Sequence, residues 1–306
     1  MNLLPPNIKK AAVRFCKDRF AAPLVSQHIA RPHHGKAVSL HMVVGKGMSL
    51  LGMLGLRSLE WHTGCSWAPF IHDDGTFDED TAAGWKRHFP DCTVIFKSEA
   101  DEAMSDALKP YPKCRENRLK HHWFRKVFDT RHYAPSDHYI VMDSDILFFR
   151  RPRLLLDWMA DPGGAFHVMR DASEKYSHPR HVIEGIMDVR MMGAVNSGLD
   201  LVPKEQFPLA TIERFLDECA GNAVHYEFLE QTIFALMVSI SPDGNQLPGG
   251  YEISWNRLRR RGAVCRHYVG PVKQDLFFLE GAASFYLQTL FQRRASRNGA
   301  FPKDRK

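Results

Sequence analysis

The stretch that decides the reading is Tyr139-Ile140-Val141-Met142-Asp143-Ser144-Asp145-Ile146-Leu147-Phe148-Phe149. Four apolar residues read as a buried strand, an Asp-x-Asp ends it, and four more apolar residues follow at once. An open α/β sheet gathers its ligands at the carboxyl ends of its strands. In extended chain, residues two apart point the same way, so Asp143 and Asp145 can face one point and hold a hard divalent cation through oxygen. Taken alone, the spacing fits a turn or a helix cap equally well. The flanks tip the balance, because carboxylates set among eight apolar residues are costly to desolvate unless a metal or an arginine meets them.

Around this stretch, strands and helices alternate. Ala37 to Val44 reads as a strand ending at Gly45-Lys46-Gly47, and Leu50, Leu51, Leu54, Leu56 and Leu59 follow with helical spacing. Such an opening suits a nucleotide-binding α/β half, although the full Gly-x-Gly-x-x-Gly fingerprint is missing. Trp67 to His72 reads as a second strand that ends at Asp73-Asp74-Gly75, where acids before glycine favour a turn over a ligand site. The pattern then predicts a helix over Asp78 to His88, a strand over Thr93 to Phe96, and helices over Glu99 to Leu108 and Arg115 to Asp129. Beyond the Asp-x-Asp it predicts a helix over Arg153 to Met159, a loop-rich stretch to Pro179 and a strand over Gly193 to Val202. Helices over Pro208 to Ala220 and Glu227 to Val238 follow, then short strands and loops from Asp243 to His267. This alternation predicts a mostly parallel sheet.

The chain has 306 residues, 44% hydrophobic and 25% charged, enough to bury a core without disulfides. Its six cysteines show no Cys-x-x-Cys pair and no zinc-ligand spacing, which points to core thiols in a reducing compartment. With no long apolar leader and no run near the roughly 18 to 20 residues that span a bilayer, the expectation is a soluble, cytoplasmic protein. Lys and Arg number 41 against 35 Asp and Glu, a net +6, and both ends are basic. A helix from Pro6 to Phe20 would gather Ile8, Ala11, Ala12 and Phe15 on one face, with Lys9, Lys10, Arg14, Lys17 and Arg19 largely elsewhere. The tail adds Arg293, Arg294, Arg297, Lys303, Arg305 and Lys306. These termini are either solvated ends or a peripheral contact with an anionic membrane, at its inner face. No aromatic-interleaved basic stripe accompanies the charge, so nucleic acid is not expected as a partner.

Read in order, Arg118-Leu119-Lys120, Asp143-Ser144-Asp145, Asn196-Ser197-Gly198, Glu230-Gln231 and His267-Tyr268-Val269-Gly270-Pro271-Val272-Lys273 resemble the retaining, sugar-nucleotide-dependent glycosyltransferases of family 8. The resemblance runs from about residue 115 to 275. It implies a GT-A fold: a single Rossmann-like α/β domain over 37–290, with a mixed, mostly parallel central sheet and an elaborated C-terminal half. A basic N-terminal extension or helix (1–36) would precede it and a basic tail (291–306) would follow. The implied activity moves a hexose from a nucleoside diphosphate sugar, UDP-glucose or UDP-galactose, to an acceptor hydroxyl of a saccharide or glycolipid, with retention.

The resemblance also implies roles. Asp143, Asp145 and His267 would hold Mn2+ or Mg2+, and Gly270 and Lys273 would lie against the diphosphate. Arg118, with Lys120 and Ser144, would reach the donor. Asn196 and Gly198 would lie beside the donor sugar, and Glu230 and Gln231 near its anomeric carbon. Physical grounds stand beside these roles: His267 offers a neutral nitrogen ligand, Gly270 a close backbone approach and Lys273 a positive charge for the leaving group. Two departures mark a divergent branch. Gly45-Lys46-Gly47 stands where the family holds base and ribose with acidic or hydroxyl residues, and Gln274-Asp275 follows Lys273 where Pro-Trp is common.

Two other readings compete. One is a catalytically silent sugar-nucleotide or membrane-surface binding protein. The other is a haloacid-dehalogenase-type phosphatase, which needs its Asp-x-Asp on the first strand and an acidic pair downstream. For the acceptor the chain offers Tyr176, Tyr251, Trp255 and Arg259, with burial in the core as the competing role for Trp255.

Overall fold

Apolar pattern and element type agree over most of the chain. The computed structural model describes residues 5–27, 38–161, 163–253, 258–270 and 273–297. Helix α1 (Pro6–Cys16) runs through a wider turn over 17–21 into α2 (Ala22–Val25). Then come β1 (Ser39–Val44), α3 (Ser49–Thr63), β2 (Phe70–Asp73), α4 (Glu79–His88), β3 (Thr93–Ile95), α5 (Lys97–Ala107), α6 (Pro112–Lys120), α7 (Arg125–Tyr133) and β4 (His138–Met142). Beyond the Asp-x-Asp lie β5 (Ile146–Phe148), α8 (Arg153–Ala160), β6 (His167–Arg170), α9 (Arg180–Met187), β7 (Val195–Pro203) and α10 (Leu209–Cys219). The last elements are α11 (Leu229–Ile240), β8 (Asn245–Gln246), β9 (Tyr251–Ile253), β10 (Cys265–His267) and α12 (Ala283–Arg297).

Seven strands form one sheet in the order β3-β2-β1-β4-β7-β6-β8, and β5-β10-β9 form a second. β1 pairs parallel with β2 and β4, whereas β7 runs antiparallel to β4 and β6, so the sheet is mixed and mostly parallel. Successive residues of β4 feed opposite cores. Ile140 and Met142 pack with Leu54, Ile146 and Phe277, while Tyr139 and Val141 pack with Phe128, Phe215 and Phe234. A strand covered on both faces reads as an unbroken apolar run, which is why this one stood out.

Three local features differ from, or settle, the sequence reading. The helix expected over Arg115 to Asp129 is two, because His121 is extended (φ −139°, ψ 132°) and a short turn over His122–Phe124 leads into α7. The loop-rich stretch contains β6, and α9 follows Pro179; a four-residue strand and an eight-residue helix are too short for periodicity to declare them. Asp73-Asp74-Gly75 is a turn, in which Asp73 Oδ1 accepts the N–H groups of Gly75, Thr76 and Phe77 at 2.7, 2.9 and 2.9 Å and Gly75 has φ +108°. All six cysteines are free thiols, and only Cys65 is not fully buried. Ala37, Trp255, Pro271, Val272 and the tail residues Lys303, Arg305 and Lys306 lie outside the described residues. No helix among the described residues is long and apolar enough to cross a membrane.

Candidate active site

β4 delivers the acidic pair to the carboxyl edge of the large sheet, and β5 carries the chain on into the small one. β10 pairs antiparallel with β5 so that His267 stands opposite Ile146, and Tyr268 N–H donates to the Asp145 carbonyl at 2.9 Å. That register sets His267 Nε2 3.0 Å from Asp145 Oδ1 and 3.5 Å from Asp143 Oδ2. One ligand atom from each of Asp143, Asp145 and His267 lies within 4.8 Å of the others.

β7 closes the opposite side. Gly198 C=O accepts the Asp143 N–H at 2.7 Å, and Asn196 Oδ1 accepts both the Gly198 N–H and His267 Nδ1–H at 2.9 Å. A backbone N–H only donates, so that Asn196 atom is the oxygen and His267 Nδ1 carries a proton. Nε2 is thereby turned toward the two carboxylates, as the outer partner of a metal-ligating histidine requires.

Charge is crowded here. Burial alone would raise the Asp145 carboxyl, but His267 and the Lys273 ammonium, 2.8 Å from Oδ2, prevail and hold it below the usual range. Neither Asp145 oxygen meets these partners in hydrogen-bonding geometry. On the other side of Asp143, the buried Lys126 Nζ lies 2.8 Å from Asp143 Oδ1, 3.4 Å from Glu230 Oε1 and 3.3 Å from Ser197 Oγ. Burial would lower the Lys126 ammonium; Asp143, Glu230 and Asp200 raise it instead. Asp200, wholly buried on β7, has no hydrogen bond to either oxygen among the described residues. Its carboxyl is pushed well above the usual range by burial, against the pull of Lys126, and Glu230 is raised for the same reason. Four carboxylates thus meet two ammonium groups and one imidazole. Further positive charge would favour the ionised forms of Asp200 and Glu230, and the mixed oxygen and nitrogen donors of Asp143, Asp145 and His267 fit a divalent cation such as Mn2+ or Mg2+.

Most residues expected at the site are brought together. Glu230 and Gln231 open α11; Ser197 Oγ donates to Glu230 Oε2 at 3.3 Å, Asn196 Nδ2 donates to Gln231 Oε1 at 3.1 Å, and Gln231 Nε2 donates to Lys175 C=O at 2.8 Å. Ser144 is buried between the two aspartates. Gly270 adopts φ +57°, a conformation glycine takes without strain, and its carbonyl accepts the Lys273 N–H at 3.1 Å, which returns Lys273 toward Asp145.

Arg118 and Lys120 are not brought to this cluster. Arg118 is buried and its fork is occupied: Nε and Nη2 donate to Asp129 at 2.6 and 2.8 Å, and Nη1 to Asp101 at 2.9 Å, tying α6 to α7 and α5. Lys120 is exposed on α6 and pairs with Glu116 at 2.6 Å. The break at His121 is the physical reason, since it gives α7 its own direction and brings Lys126 rather than Arg118 to Asp143. Sequence reasoning missed Lys126, Asp200 and Asp171, whose Oδ2 accepts from Asn196 Nδ2 at 3.3 Å. The available signal was a single acid inside Leu199 to Val202; Lys126 stands beside Arg125 in Phe124 to Phe128 and offers none.

Beside Gln231 lies a cavity of about 330 Å3, lined by Glu174, Lys175, Tyr176, His178, Val224 and Phe228 among others. Of the aromatic and basic residues singled out for the acceptor, Tyr176 lines this cavity. Tyr251 is buried in the core, and Arg259 covers the Phe149 ring at 4.0 Å and pairs with Glu280 at 3.3 Å.

No protein-family model matches the sequence, and comparison with curated proteins finds no match. The solved structures are more informative. An active-site mutant of LgtC superposes with a TM-score of 0.53 at 14% identity, covering 83% of this chain and 96% of that one. The chain has the GT-A fold. The apo form of mouse xyloside xylosyltransferase 1 is similar at a TM-score of 0.50 and 15% identity, over 75% of this chain and 97% of that one. The apo glycosyltransferase GlyE of Streptococcus pneumoniae TIGR4 gives 0.51 and 11%, over 90% and 66%. At such identities the likeness is one of fold, and the chemistry rests on the chain's own residues. In this GT-A fold the Asp-x-Asp follows the fourth strand, whereas the phosphatase reading requires it on the first.

Proposed function

We propose that the protein is a metal-dependent glycosyltransferase that moves a hexose from a nucleoside diphosphate sugar, UDP-glucose or UDP-galactose, to a hydroxyl of a saccharide or glycolipid, with retention. The convergence of Asp143, Asp145 and His267 on one point, flanked by Lys273 and Lys126, carries this reading, and a fold shared with glycosyltransferases supports it. A divalent cation on that triad supplies Lewis-acid stabilisation of the departing diphosphate. Lys273 adds a positive charge on the same side. Lys126 takes the donor-facing role first expected of Arg118.

Glu230 and Gln231 lie across the site from Lys273, and Asn196 and Lys175 hold the Gln231 amide in one orientation. Same-face attack and a transient glycosyl adduct both lead to retention, and both need a polar side chain beside the anomeric carbon; in this reading Glu230 and Gln231 supply it. The acceptor sugar enters the cavity next to Gln231, where Tyr176 and Phe228 supply apolar faces and His178 and Glu174 polar groups.

A donor panel tests the proposal. Incubation of the protein with a set of nucleoside diphosphate sugars and Mn2+, without acceptor, should release nucleoside diphosphate from one of them and stop when a chelator is added. No release from any donor would reject the transferase, and sugar-nucleotide binding without turnover would leave the silent binding protein.

A further inference from the structure

We infer that α1 and α12 together form a docking face for an anionic lipid surface. The helical run 6–25 that α1 opens lies alongside the run 277–297 that α12 ends. Phe15 meets Phe20 edge-on with ring centres 5.7 Å apart, Phe20 lies 4.9 Å from Tyr286, Lys9 pairs with Asp275 and Arg293 with Gln27. Inward, Cys16, Ala21 and Phe285 belong to the core. Outward, Ile8 is 49%, Phe15 56%, Leu287 50% and Phe291 65% exposed, half of the eight large apolar residues that the described surface presents. The other four stand on separate elements and need no explanation; gathered on two adjoining helices, these do. Ile8 and Phe15 are seven residues apart and Leu287 and Phe291 four, so each pair shares one side of its helix.

Charge identifies what covers them. Residues 6–21 and 283–297 hold eight basic residues against a single acid, Asp18, in a chain whose whole net charge is +6. The positive excess of the protein is therefore concentrated in these two segments. Lys10, Arg14, Lys17, Arg19, Arg293 and Arg294 are exposed on the same helices as the four apolar side chains. A second copy laid on this face would meet the same positive charge. A bilayer bearing anionic headgroups pairs with the basic residues and takes the four apolar side chains into its acyl boundary.

Sedimentation of the intact chain with vesicles tests this, using phosphatidylcholine alone and phosphatidylcholine mixed equally with phosphatidylglycerol. Binding is expected to the mixed vesicles only and should weaken as salt rises. Phe15→Ser with Phe291→Ser should lower partitioning by about tenfold or more, and Lys10→Gln with Lys17→Gln by about fivefold per charge removed. Circular dichroism and sugar-nucleotide hydrolysis should not change in either pair. Equal binding to neutral vesicles, or unaltered binding by the serine pair, overturns the inference. So does a wild-type dimer that binds no vesicle and is dissociated by Phe291→Ser, which would assign the face to self-association.

Discussion

Gly198 and His267 touch across the junction of the two sheets: a β-carbon on Gly198 would lie 2.5 Å from the imidazole Cε1 and 2.9 Å from Asn196 Oδ1. The ring occupies the space that a side chain would need. Gly198→Ala should displace the imidazole from its Asn196 hydrogen bond and weaken Mn2+ binding by about 10- to 100-fold. Calorimetric titration with Mn2+ measures this. Unchanged affinity would remove His267 from the ligand set.

Asp145→Asn keeps the shape of a buried side chain and removes its charge. Metal-dependent donor hydrolysis should fall by about 10²-fold or more, with the far-ultraviolet circular dichroism of the wild type. Full turnover in a folded Asp145→Asn protein would exclude the proposed metal site.

Arg118 and Lys126 are both buried bases, and they separate by experiment. Arg118→Lys keeps the charge but loses the fork to Asp129, so urea denaturation should show a loss of about 1–3 kcal/mol with kcat near that of the wild type. Lys126→Gln should lower kcat/KM by about tenfold or more, because the ammonium between Asp143 and Glu230 is gone. The opposite pattern would return the donor contact to Arg118.

Stability should fall in mild acid through two buried histidines. Ser39 Oγ lies 2.8 Å from His41 Nε2, and His41 Nδ1 lies 3.0 Å from His72 Nε2, in the middle of the sheet. Burial, with Arg118 and Arg125 nearby, lowers His72 to about 3, and burial with His72 and Lys204 lowers His41 well below its usual value. The unfolded chain therefore binds more protons than the folded one between the ordinary histidine value of about 6.5 and these lowered values. Stability is complete above that window and is lost as pH falls through it, by about 1.4 kcal/mol per pH unit for each histidine. Urea unfolding at several pH values should give a shallower slope for His72→Phe than for the wild type; identical slopes would refute the assignment.

Much of the site was readable because its parts sit where an apolar run stops. Asp143 and Asp145 end β4, Asn196 and Gly198 open β7, Glu230 and Gln231 start α11, and His267 closes β10. A polar group interrupting an apolar run is a local signal, and the desolvation cost of buried carboxylates makes it informative. Lys126 carried no such signal. Arg118 and Lys126 are eight residues apart and would share a face of one unbroken helix, so only the extended His121 tells them apart. Asp200 resembled a stray acid on a strand until Lys126 and Glu230 were seen beside it.

The sequence by itself determined the alternation of strands and helices, the acidic end of β4 and the glycine turn that carries Lys273, since each follows from propensity, periodicity or the φ freedom of glycine over a few residues. Only the tertiary structure decided that His267 faces Asp145, that Lys126 meets Asp143, and that the helical runs bearing Ile8, Phe15, Leu287 and Phe291 adjoin. These depend on the β5–β10 register, the direction of α7 and the pairing of the two terminal helices. Packing between distant segments sets all three, and no local pattern of residues encodes it.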